Sequence, residues 1–155
     1  MVVFQDLDDP SVAATFGEVM CSVYKAFGSA GLITSGTGRD LLQVRALDFP
    51  VFTGGTICSH GYCHILHIGT PVRVGGLVVN NGDLLHGDAN GVTRIPLEIA
   101  VELADVAAEF VAAERIVLDY LRDNSAISAS GLDAARKEFS SAVAKLGDRI
   151  RHEKH

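Results

Sequence analysis

Apolar positions change their period several times along the chain, and each change predicts an element. Val2, Val3 and Phe4 form a short β-rich run ahead of the turn chemistry of Asp8, Asp9 and Pro10, the pattern of an opening or edge strand. Over residues 17–27 the positions Val19, Met20, Val23 and Phe27 recur at helical spacing, and Gly28 closes the run. Residues 31–35 predict a buried strand, residues 36–38 a tight turn, and Asp40 opens a short helix carrying Leu41, Leu42 and Val44. Another short strand is expected over 50–52, followed by an exposed, glycine-rich loop over 53–61.

The period then shortens to that of strands. Residues 71–74, 77–79, 84–86 and 92–95 are brief β segments divided by Gly75-Gly76, Asn80-Asn81-Gly82 and Asn90-Gly91, which predicts an antiparallel meander with Asp83 and Asp88 near its turns. Pro96 suits the first turn of a helix, and Ile99, Leu103, Val106, Phe110, Val117 and Leu121 form one apolar stripe that runs to Asp123. That stripe fits either packing within the chain or a contact between subunits. A Ser/Ala/Gly linker over 124–131 leads to a final amphipathic helix marked by Leu132, Phe139, Val143, Leu146 and Ile150, with a charged end. The expected division is therefore a domain over 1–123 and a linker with a C-terminal helix over 124–155.

Composition narrows the function classes. At 155 residues and 48% hydrophobic content the chain can bury a core of its own, and a formal net charge of −6 without a basic cluster before the last few residues argues against nucleic-acid binding. The apolar runs are far too short to span a bilayer, and Asp6, Asp8 and Asp9 stand where a secretion signal would need basic and apolar residues. Three cysteines, Cys21, Cys58 and Cys63, give an odd number at spacings that mark no disulfide framework. A cytoplasmic protein without a membrane partner is expected.

The most informative stretch lies between Gly17 and Asp40, where Glu18 and Arg39 are separated by twenty residues and Asp40 follows directly. Arg39 offers a planar, permanently charged fork for a carboxylate, and Asp40 is a hard oxygen ligand suited to Mg2+ or Mn2+. Gly17 would let a ligand approach the start of its helix, where the N–H groups around Val19 and Met20 could receive carboxylate oxygens. The plainer alternatives are a first-turn charge for Glu18, an N-cap for Asp40 and a surface pair for Arg39.

The acidic residue, the twenty-residue gap and the Arg39-Asp40 pair resemble the signature of the regulator of ribonuclease activity A-like family, which includes 4-hydroxy-4-methyl-2-oxoglutarate aldolases. The strand at Val2 and the Gly75 to Pro96 meander resemble that family as well, so the likeness runs from the first residue to Asp123. Glu18 stands where the characterised aldolase pattern has Asp. The resemblance implies an α/β fold of the swivelling β/β/α type, with the antiparallel meander, a long C-terminal helical segment, and assembly as trimers or pairs of trimers. It also implies that the family's N-terminal helix-and-strand segment is missing here. For activity it implies cleavage or decarboxylation of a small 2-oxo acid, with Arg39 orienting the pyruvyl part, Asp40 holding the metal and Glu18 near metal-bound water. Some relatives are instead protein-binding inhibitors of a ribonuclease, which is the main alternative. A methyltransferase reading finds no Gly-x-Gly-rich nucleotide loop after the first strand.

Other candidates are weaker. His60 and His64 are four residues apart with His67 and His86 nearby, but Gly61 and the β-rich surroundings argue against a helical metal pair. Asp83 and Asp88 are expected to serve turns, and Cys21 and Cys63 to be buried or incidental thiols.

Overall fold

Ten short strands and four helices make up residues 1–152, which the computed structural model describes; the last of the charged end expected of the C-terminus, residues 153–155, lies outside them. The chain divides into two compact units, Met1–Ile95 and everything from Pro96 onward. In the first unit the order is β1 (Val2–Phe4), β2 (Ala14–Phe16), α1 (Glu18–Ala26), β3 (Leu32–Thr34), β4 (Thr37–Gly38), α2 (Leu41–Ala46), β5 (Val51–Phe52) and β6 (Gly55–Thr56). Two hairpins follow, β7 (Val72–Val74) with β8 (Leu77–Val79), and β9 (Leu84–Asp88) with β10 (Gly91–Ile95).

Three times the chain lays one strand in a first sheet and the next in a second. The first sheet has the order β1-β3-β5 and the second β2-β4-β6, both parallel. Parallel neighbours need long connections, and the chain supplies them through α1 and α2. The expected turn at 36–38 is corrected here, because Thr37–Gly38 is strand β4, and the expected loop over 53–61 contains strand β6. The bends fall instead at Ser35-Gly36 and at Thr53-Gly54, where a Cβ on Gly54 would lie 2.2 Å from the Ser35 carbonyl oxygen. Two-residue strands carry no alternating pattern, so their place is set by the neighbours they bond to. β2, three residues long, gave no sequence signal either.

β3 is buried throughout because both faces of its sheet are covered. Leu32 faces a core with Phe16, Cys21, Val44 and Phe49, which carries α1 and α2. The next residue, Ile33, points the other way, into a cluster with Val74 and Val79 of the first hairpin. The hairpins follow the glycine signals: Gly75 and Gly76 take φ of 54° and 83°, as a tight two-residue turn requires. α1 ends where Gly28 adopts φ of 82° and the Ser29 N–H returns to the Tyr24 carbonyl.

In the second unit Pro96 leads a turn of 3₁₀ helix, Leu97–Ile99, into α3 (Ala100–Asp123), and α4 (Ala129–His152) follows. Contacts between α3 and α4 run in opposite senses along the two helices. Tyr120 bonds to Ser128, the Phe110 and Phe139 rings meet edge to face at 5.8 Å, and Arg149 grips Glu109 through two bonds of 3.0 and 2.6 Å. Of the α3 stripe, Val106 is buried and Phe110 meets Phe139, while Phe110 and Leu121 keep exposures of 37% and 40%. Among the described residues no helix is long and apolar enough to cross a membrane.

Candidate functional site

The end of β2, the start of α1 and the turn between β4 and α2 meet at one point. Phe16 is 1% exposed at the end of β2, and its carbonyl accepts the Arg39 N–H at 3.1 Å. Gly17 is extended, and its carbonyl begins α1 by accepting the Cys21 N–H at 3.0 Å. The N–H groups of Glu18, Val19 and Met20 therefore precede the first bond of the helix and point out of its positive end.

Asp40 reaches that end. Its backbone sits in the left-handed region at φ 56°, ψ 35°, where Asp is tolerated better than most side chains, and its carbonyl starts α2 by accepting the Val44 N–H. Its side chain makes no capping bond to α2. Instead Oδ2 accepts the Glu18 N–H of α1 at 3.2 Å and lies 3.6 Å from Arg39 Nε. The simple N-cap reading of Asp40 is thereby replaced by a cross-helix contact. Both side chains are 37% exposed, so the pair is open to a ligand.

Gly17 makes the approach possible. A Cβ there would lie 2.6 Å from Asp40 Oδ2 and 3.1 Å from Arg39 Nε. Gly38, read from sequence only as part of a turn, is a second spacing residue: its Cβ would fall 2.0 Å from the Phe16 ring. The signal available was the glycine directly ahead of Arg39-Asp40. Another feature the sequence did not disclose is the Lys25 ammonium donating to the Leu47 carbonyl, which ties the last turn of α1 to the end of α2.

Thus Gly17, the Glu18 backbone, Arg39 and Asp40 come together, with the Val19 and Met20 amides on the same turn. The Val19 and Met20 side chains point outward, and the Glu18 side chain is exposed. Among the described residues no three His, Cys, Asp or Glu gather as a ready-made metal cage. Magnesium, however, is commonly held by one or two carboxylates with several waters. Asp40 fits that donor set, since its Oδ1 takes part in neither of the two contacts above.

The remaining candidates take structural places. Asp83 accepts the Asn80 N–H at 2.8 Å, and that bond, then the Asn80 side chain and Arg94, holds its carboxyl below the ordinary range. Asp88 is lowered in the same way by the Asn90 N–H, then by its amide and by His86. Burial pushes the Cys21 thiol up, which suits a core residue and not a nucleophile, whereas Cys63 is exposed. His60, His64 and His67 lie on an irregular stretch and not on a helix.

A protein of Halalkalibacterium halodurans named "Putative 4-hydroxy-4-methyl-2-oxoglutarate aldolase" is 36% identical over 96 residues, which are 61% of this chain and 46% of that protein. An uncharacterized protein of Methanocaldococcus jannaschii is 31% identical over 66% of this chain and 50% of its own length. The chain thus spans about half the length of these curated relatives. Among solved structures, Streptomyces coelicolor RraAS2, described as an unusual member of the RNase ES inhibitor RraA protein family, superimposes with a TM-score of 0.59 at 26% identity, over 73% of this chain and 59% of that one. An uncharacterized protein from Pseudomonas syringae pv. tomato gives a TM-score of 0.66 at 22% identity, over 86% and 65%, and shares the fold. The profile described as RraA-like, Aldolase/RraA, matches residues 1–94, a span that holds every residue of the site, and the chain belongs to the RraA-like family.

Proposed function

We propose that the chain is a divalent-metal-dependent carbon–carbon lyase that cleaves a 4-hydroxy-2-oxo acid or decarboxylates oxaloacetate. The observation that carries this reading is the Asp40 carboxylate set at the N-terminus of α1 beside Arg39, in space left open by Gly17. The similarity to the named aldolase supports it. Asp40 would hold Mg2+ or Mn2+, and the bound ion would polarise the 2-oxo group of the substrate.

The chain's own residues do the rest. Arg39 pairs with the substrate carboxylate through its fork and fixes the pyruvyl part, while the Val19 and Met20 amides at the positive helix end receive carboxylate oxygen. Glu18, on the same turn, would take a proton through water from the C4 hydroxyl. As that proton leaves, the C3–C4 bond breaks, its electron pair passes to the pyruvyl half as an enolate, and the other half departs as a carbonyl compound. Protonation at C3 then gives pyruvate. Loss of carbon dioxide from oxaloacetate yields the same enolate, so one site serves both reactions. The working protein is proposed to be a cytoplasmic homo-oligomer, a trimer or a pair of trimers, acting on a small 2-oxo acid.

A second reading is favoured by the likeness to the ribonuclease inhibitor family member: a protein-binding regulator with no catalysis. Pyruvate release from oxaloacetate and from a 4-hydroxy-2-oxo acid, with and without magnesium, separates the two. Turnover that requires the metal supports the lyase. A folded protein that is inert towards both substrates yet inhibits a ribonuclease without magnesium supports the regulator.

A further inference from the structure

α3 carries two apolar faces. One turns Val106 and Phe110 towards α4. Along the other side run Val101, Ala104, Ala108, Val111, Arg115, Leu118 and Arg122, in steps that alternate between three and four residues. That repeat keeps one seam of a helix facing a partner helix along its whole length. All seven side chains are exposed, with Val101, Val111 and Leu118 at 83%, 60% and 58%. The first four are apolar without interruption, and the two alanines among them let a facing backbone come close.

Charge on this side is unevenly placed. Both arginines stand in its C-terminal half, and Asp105 stands beside Ala104 in its N-terminal half. The side chains of Arg115 and Asp105 make no hydrogen bond or ion pair among the described residues, whereas Arg122 is held by Asp119 and Asp123 of its own helix. Within one chain Arg115 and Asp105 are ten residues apart, about 15 Å along the helix, and cannot meet. A second α3 laid parallel would set Arg115 on Arg115. Laid antiparallel, with the two-fold axis between Ala108 and Val111, it opposes Ala108 to Val111, Val101 to Leu118 and Arg115 to Ala104. Each Arg115 then lies over a small side chain and beside Asp105 of the other copy, so the pair forms twice.

We infer that this face of α3 is an interface with a second copy of the chain, the two helices running antiparallel about a two-fold axis. A second copy is the occupant because the face complements itself, as an isologous contact requires: its apolar positions oppose one another and its unpaired arginine meets its unpaired aspartate. The pairing does not rest on the lyase reading, since α3 lies beyond the family match at residues 1–94. It bears on assembly, because such a two-fold contact is present in a pair of trimers and in no single trimer.

The test is the mass of the full chain in solution by sedimentation equilibrium over a range of concentrations. The native chain is expected to contain an even number of copies. Val111→Lys should weaken the pairing by about 30-fold or more and halve the mass, in line with loss of a central interface anchor, while helix content by circular dichroism stays the same because the position is exposed. Arg115→Glu and Asp105→Arg should each weaken it as well, and the two together should restore it, a rescue that only contact between copies explains. An odd number of copies in the native chain, an unchanged mass in Val111→Lys, or a double reversal no better than either single one would each overturn the inference.

Discussion

At the scale of single residues, the site depends on what Gly17 lacks. Its backbone is extended and open to any residue, yet a methyl group would enter the space held by Asp40 Oδ2 at 2.6 Å. Gly17→Ala is therefore expected to lower magnesium affinity and turnover by about 10- to 100-fold, in the range found when ligand-orienting contacts are lost, with little change in melting temperature. Unchanged turnover in this variant would place the reacting groups elsewhere. The cysteines give a second residue-scale expectation. Cys21 is fully buried with its thiol pushed up by burial, whereas Cys58 and Cys63 are exposed. A thiol reagent at pH 8 should label the two exposed cysteines in the native protein and Cys21 only after unfolding. Equal rates for all three would contradict the core placement of Cys21. The Arg39-Asp40 pair was legible in the sequence because charge and spacing are written in side chains. The bond from Asp40 to the Glu18 N–H was not, since it joins residues 22 apart through a backbone group that any amino acid supplies.

At the scale of elements, long or sharply punctuated pieces were the readable ones. α1, α3, α4 and the two hairpins follow from apolar stripes and glycines of positive φ. The two-residue strands β4 and β6 were read as turn and loop, because Thr37-Gly38 and Gly55-Thr56 show no periodicity and are fixed only by backbone partners. The pairing of α3 with α4 carries a pH dependence. Glu109 is held below its ordinary carboxyl range, first by hydrogen bonds from Arg149 and then by its charge, with burial opposing. A depressed carboxyl contributes stability above its unfolded value and loses it as pH falls through the folded value. Both partners are about half exposed, so solvent screens the effect and it is small. Thermal melts from pH 7 to pH 3 should show a shallower acid decline for Glu109→Gln than for the native chain. Superimposable acid limbs would exclude the pair as a source of that decline.

At the scale of the whole molecule, fold and family were within reach of the sequence, since the RraA-like match covers residues 1–94 and includes the strand, the Arg39-Asp40 motif and the meander together. The substrate of the proposed lyase is not legible in the sequence, because substrate selection rests on shape around a small charged core and the chain spans about half the length of its curated relatives. The core itself is simple: one carboxylate, one guanidinium and a positive helix end converge, and among the described residues no cage of ligands joins them. Asp40 is its centre, so the direct test is pyruvate release from oxaloacetate as magnesium is titrated, with the native chain beside Asp40→Asn, a variant of nearly the same shape. Saturable, magnesium-dependent release by the native chain, falling by two orders of magnitude or more in Asp40→Asn, is the expected result. Equal, magnesium-dependent release by both would contradict the placement of the metal at Asp40, and no release by a folded native chain would contradict the lyase itself.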